Sequence, residues 1–159
     1  MKRNFECCTR VLLLAACCAF IAAGCGLFDH HSQYRSIHQL TIDDDTKGVA
    51  ADLARRPADL ELLDDAGRTP LLVAANQCST NVLVLLLKKG AKMDAVASGR
   101  STALHLAAQA GCSAAVLLLL DKGCDLNPRD SQGRTPLTRA EQFNQNAIVK
   151  LLRDHGGAE

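Results

Sequence analysis

The tripeptides Thr69-Pro70-Leu71, Thr102-Ala103-Leu104 and Thr135-Pro136-Leu137 recur every 33 residues, and this interval restricts the fold more than any other feature of the chain. The same interval relates Ala74, Ala107 and Ala140, then Leu86, Leu119 and Leu152, then Gly90, Gly123 and Gly156. Whole structural units therefore repeat. Each unit of such a chain buries its apolar face against its neighbours, and the stack offers an extended surface on which a partner can be held.

Local chemistry assigns helices to each unit. The threonines are placed as N-caps, with Pro70 and Pro136 at the first helical position, where a missing N–H costs nothing. Short first helices are predicted over Pro70 to Gln77, Ala103 to Ala110 and Pro136 to Phe143, with Gly111 marking the break in the middle unit. Second helices are predicted over Thr80 to Lys88, Ser113 to Asp121 and Asn146 to Arg153, stopped by Gly90, Gly123 and Gly156. With 48% hydrophobic residues, 3% aromatics and no tryptophan, the core must be made of Leu, Ala and Val. The recurring leucines, the alanine column and Leu83, Val116 and Val149 supply one.

The segments Gly67-Arg68-Thr69-Pro70-Leu71, Ser101-Thr102-Ala103-Leu104-His105-Leu106-Ala107-Ala108 and Gly133-Arg134-Thr135-Pro136-Leu137 resemble the ankyrin signature. The resemblance implies an all-α ankyrin-repeat solenoid of about four helix-turn-helix units joined by hairpin-like loops. These units fall at about 31–63, 64–96, 97–129 and 130–159, in a domain spanning 34–159. Gly99 sits one place early relative to Gly67 and Gly133, which leaves the shape of that turn open. His105 matches the family's structural histidine, which ties neighbouring turns together. The outer units read as caps: Arg139, Glu141 and Arg153 replace apolar residues in the last, expected on a face where nothing stacks. In the first, Ile37, Leu40, Ile42, Val49 and Leu53 form an atypical unit with Pro57 in the glycine column.

Residues 1–24 read differently. Lys2, Arg3 and Arg10 precede the eleven-residue apolar run Val11 to Ile21, then Ala22, Ala23, Gly24 and Cys25, which is a signal-peptide layout. The run is too short for an ordinary membrane span of about 20 residues. Ala22-Ala23-Gly24-Cys25 resembles a bacterial lipobox, which implies cleavage before Cys25 and lipid on its sulfur. Cys17 offers a second such tetrapeptide, but cutting there leaves too short an apolar run. Residues 25–33 would form a short tether at the membrane. Gly26 stands where an aspartate would resemble the inner-membrane retention signal of enterobacteria, so outer-membrane sorting is expected if the organism has an outer membrane, in a lipid-anchored protein of the bacterial cell envelope facing the periplasm. The mature chain would carry 15 basic and 16 acidic residues, and it lacks the basic stripe of a nucleic-acid binder.

No nucleophile with a base, carboxylate pair or phosphate loop is evident, so a non-enzymatic chain without metal or cofactor is expected. His30, His31 and His38 lack zinc spacing and read as solvated polar residues. Asp43, Asp44 and Asp45 lack the turn and glutamate of a calcium loop and favour the start of a second helix. Cys78 and Cys112 occupy nearly equivalent points of adjacent units, and Cys124 reads as a buried packing residue. A bridge between the first two is conceivable in an oxidising compartment. Stacked helices about 8–10 Å apart, against the 7 Å or so that a disulfide tolerates, weigh against it.

The resemblance implies that loop tips and first-helix ends contact a partner protein. The matching positions are Asp65, Arg68, Ser98, Ser101, Ser131, Gln132 and Arg134 on the loops, with Asn76, Gln77, Gln109, Gln142 and Phe143 on the helices. The expected function is a monomeric protein–protein interaction module on the membrane, such as an immunity or regulatory lipoprotein for an exported effector or envelope enzyme. A structural envelope adaptor is the alternative, as is an accessory subunit of a periplasmic redox enzyme, which would need reactive cysteines.

Overall fold

The computed structural model describes residues 36 to 158. The expectations for the leader, Cys25, the 25–33 tether, His30 and His31 fall outside them. Four helix pairs follow one another: α1 (Ile37–Ile42) with α2 (Thr46–Arg55), α3 (Pro70–Gln77) with α4 (Thr80–Lys88), α5 (Ala103–Ala110) with α6 (Ser113–Asp121), and α7 (Pro136–Gln142) with α8 (Asn146–Asp154). A two-residue antiparallel pair, β1 (Val96–Ala97) with β2 (Ser101–Thr102), is the strand content among the described residues. The fold is the expected helical solenoid, and the predicted boundaries hold except that α7 ends one residue early and α8 one late.

The caps explain the sharp boundaries. Thr69 and Thr135 accept from the N–H groups of Leu72 and Thr138, three residues into their helices. Each first helix is followed by a residue in the left-handed region, at the C-cap in Cys78 (φ 60°) and Gly111 (77°) and one residue beyond it in Asp44 (51°) and Asn144 (57°). That backbone turns the chain back on itself, so the second helix lies antiparallel to the first. The first helices pack in one row and the second helices in another. Ala74, Ala107 and Ala140 are fully buried between neighbouring first helices, where a longer side chain would force them apart. Leu86, Leu119 and Leu152 close the core from the second row.

The ends differ from expectation in instructive ways. Glu141 and Arg153 do pair with each other, at 2.5 Å. Arg139 does not face outward: its side chain is only 14% exposed. It reaches back into the preceding unit, donating to Gln109 Oε1 at 2.8 and 3.1 Å and to Ser101 Oγ at 3.0 Å. In the column shared with the buried Val73 and Leu106, this long polar side chain bridges two units. In the first unit Ile37, Leu40, Val49 and Leu53 are buried, while Ile42 is exposed at the end of α1. Pro57 opens a 3-10 turn, Pro57–Glu61, in place of a glycine stop. Asp45 caps α2 through Gly48 N–H at 2.9 Å. Asp44 accepts from Val82 N–H and Asn81 Nδ2, so it holds the start of α4 in the next unit.

Candidate functional site

Three loops project from the stack, one before each of α3, α5 and α7; they are called fingers 2, 3 and 4 after their units. In finger 2 the Asp64 carboxylate organises the turn, accepting from the N–H groups of Ala66 and Arg68 at 2.9 and 2.8 Å. The Arg68 guanidinium closes on the same carboxylate through Nε and Nη2, at 2.9 and 2.8 Å. Finger 4 repeats this with Asp130, the N–H groups of Gln132 and Arg134, and the Arg134 guanidinium. Asp130 also receives Arg139 Nη1 at 2.9 Å. Gly67 and Gly133 supply the positive φ this turn needs.

Finger 3 has Ala97 where its neighbours have aspartate, and it takes another shape. Val96 pairs with Thr102 and Ala97 with Ser101, and the chain reverses through Gly99 (φ 77°) and Arg100 (φ 58°). The displaced glycine thus puts an arginine into the left-handed region, a strained placement for a residue with a Cβ. The fingers are tied side by side. Ser98 Oγ donates to the Ala66 carbonyl at 3.0 Å, and Ser131 N–H to the Gly99 carbonyl at 2.8 Å.

Two histidines support the fingers from beneath. His105, fully buried, donates from Nε2 to the Arg134 carbonyl at 2.9 Å and accepts the Thr102 N–H on Nδ1 at 3.3 Å. This fixes a neutral tautomer, and burial lowers its pKa despite the Arg134 carbonyl and Asp130. His38 does the same in the first unit, donating to the Arg68 carbonyl at 3.1 Å. It is buried rather than solvated. Burial alone would raise the Asp130 carboxyl. Hydrogen bonds from the Arg134 guanidinium and from the Arg134 and Gln132 N–H groups outweigh it and hold the pKa at about 2. Asp64 is lowered likewise, with Arg68 in the same role.

Asp65, Gln77, Ser98, Ser131, Gln132, Gln142 and Phe143 are exposed, and Asn76 and Gln109 are half-buried. Ser101 is not on the surface; it is 5% exposed, beneath Arg139. Arg68 and Arg134 keep under a third of their side-chain surface and are committed to their own fingers. Sequence reasoning passed over Asp64 and Asp130, although each stands four residues before an arginine in equivalent units. It also passed over Arg100, which is exposed and makes no ion pair among the described residues.

Cys78 and Cys112 form a disulfide, with Cα atoms 5.5 Å apart. The helix-row spacing does not apply at this point. Cys78 is the left-handed residue ending α3 and Cys112 the residue just after the equivalent turn, so both lie in the breaks between helices and not along the helix rows. Cys124 is half-buried and burial pushes its thiol up to about 11, so it remains protonated at neutral pH. It borders a cavity of about 340 Å³ lined mainly by Met93, Ala103, Leu104, Leu119 and Pro128. Among the described residues no group of three His, Cys, Asp or Glu side chains could hold a metal ion, and no helix is long and apolar enough to cross a membrane.

A family model described as ankyrin repeats (3 copies) matches residues 37–130 and again 98–159. No curated protein matches the chain.

Proposed function

The chain belongs to the ankyrin-repeat family, whose members serve as protein–protein interaction modules, and from that premise we propose that this one is a lipid-anchored envelope protein holding another protein against its fingers. In this reading the leader directs export, Cys25 becomes the lipidated first residue, and the domain faces the periplasm from the outer membrane as a monomer. A role as immunity or regulatory lipoprotein for an exported effector or envelope enzyme accords with a binding face whose charges are mostly used internally.

The observation that carries the export reading is the Cys78–Cys112 bridge. Disulfides persist in oxidising compartments and are rare in the cytosol. The bridge joins two units that already stack, so its role is to staple a binding scaffold. A protonated Cys124 thiol and two cysteines in a disulfide weigh against an accessory subunit with three reactive thiols.

Radiolabelled fatty acid should enter the wild-type protein and not Cys25→Ser, and thiol alkylation in intact cells should leave Cys78 and Cys112 unlabelled until a reductant is added. Labelling of both before reduction would place the domain in a reducing compartment and end the envelope reading.

A further inference from the structure

Charge is unevenly divided among the fingers. Finger 2 sets Asp64 and Asp65 against Arg68, two anions against one cation. At the tip of finger 3, over residues 96–101, Arg100 is the one charged residue, and over residues 129–139 Arg129, Arg134 and Arg139 stand against Asp130. Asp130 is shared by two guanidiniums and can neutralise only one of them. Glu141, the acidic residue of α7, is taken by Arg153.

The backbone places Arg100 at this seam. The residue before it, Gly99, accepts from Ser131 N–H of finger 4, and the residue after it, Ser101, accepts from Arg139. Arg100 is therefore anchored on both sides to the last unit. It is also held at φ 58°, a backbone strain of the kind that collects at binding sites. Among the described residues its guanidinium makes no ion pair or hydrogen bond, unlike those of Arg68 and Arg134. Val96, at the base of the same finger, is exposed and adds apolar area.

We propose that the seam between fingers 3 and 4 is a seat for an acidic segment of a partner protein, with Arg100 as the arginine that meets its carboxylate and, behind it, the one positive charge that Asp130 leaves over between Arg134 and Arg139. The segment lies with its acidic part across fingers 3 and 4 and with neutral or basic residues toward finger 2, where Asp65 would repel carboxylates. This assignment rests on the reading of the fingers as the binding face. An exposed guanidinium that offers a planar fork is suited to bidentate capture of carboxylate.

The test is selection of a random twelve-residue display library on the full-length protein in detergent, repeated on Arg100→Glu and Arg100→Gly. Peptides enriched on the wild type should carry several-fold more Asp and Glu than the naive library. That bias should vanish on Arg100→Gly and reverse on Arg100→Glu. The glycine variant also controls for folding, because glycine accepts this φ without strain and its Tm should equal or exceed the wild-type value. Enrichment without acidic bias, or the same bias on all three proteins, would overturn the seat while leaving the binding face standing. No enrichment on any of them would overturn both. Binding of anionic phosphatidylglycerol vesicles that Arg100→Glu abolishes, with no acidic peptides selected, would assign the seat to a membrane surface and also overturn the proposal.

Discussion

The junction between the second and third units and the junction between the third and fourth share one geometry and are secured by different chemistry. In the first, Leu72 stands at the histidine position and Cys112 is bonded to Cys78. In the second, His105 holds the Arg134 carbonyl, and Gln145, one period after Cys112, donates to the Gln109 carbonyl at 3.3 Å. Gln145 lies over Gly111, the residue one period after Cys78, so the bridge and this hydrogen bond occupy the same place in successive repeats. A repeat backbone thus brings the same two positions together at every junction, and the side chains decide whether the contact is covalent or polar. The covalent junction should respond to reductant, and the polar one to acid.

The largest difference is expected on reduction. Removing a disulfide that closes a loop of this length costs about 2–4 kcal/mol. Adding reductant should lower the Tm of the wild type by many degrees and leave Cys112→Ser unaffected. Hydrogen exchange should then rise first in α3 and α4. Equal exchange in both junctions after reduction would show that the bridge does not distinguish them.

Acid should act on the other junction. His105 has a folded pKa below its ordinary 6.5, so the unfolded chain takes up a proton first and stability falls as the pH drops from about 6.5 toward the folded value. Asp130 has its pKa lowered from 3.8 to about 2; its contribution, on the order of 2 kcal/mol, is intact above 3.8 and lost as the pH falls through 2. Urea midpoints measured from pH 7 to pH 2 should fall in these two windows. His105→Gln should remove the upper one, and a mutant that keeps it would assign that titration to another group.

How much of this was legible follows from how local each cause is. The Thr-Pro caps and the stops at Gly90, Gly123 and Gly156 act within one turn, so the helices could be placed to within a residue. The bridge could not, because an average spacing between helix rows says nothing about the distance between two turns that lie outside the rows. Arg139 was misplaced because a repeated column shows that a position recurs and not whether it faces the unit before or after. His38 was missed because the first unit is out of register: Asp44 lies one residue more than a period before Cys78. On the candidate face, exposed polar residues such as Gln132 and Gln142 were readable from the family pattern. That Arg68 and Arg134 are spent on Asp64 and Asp130, leaving Arg100 free of an ion pair among the described residues, needed the fold.

The smallest effects probe the polar junction itself. Gly111→Ala puts a Cβ on a residue at φ 77°, which costs about 1 kcal/mol in backbone strain, and the new carbon would collide with the Gln145 carboxamide. Gln145→Ala gives up a single long hydrogen bond, about 0.5–1 kcal/mol. Because the carboxamide is the far end of a flexible side chain, it can swing aside at the expense of that same bond. The two substitutions should therefore be less than additive. In a double-mutant cycle, Gly111→Ala should cost about 0.5 kcal/mol less when Gln145 is already alanine, since only the backbone strain remains. Additive costs would mean that Gln145 does not rest on Gly111, and the equivalence between this contact and the Cys78–Cys112 bridge would fail with it.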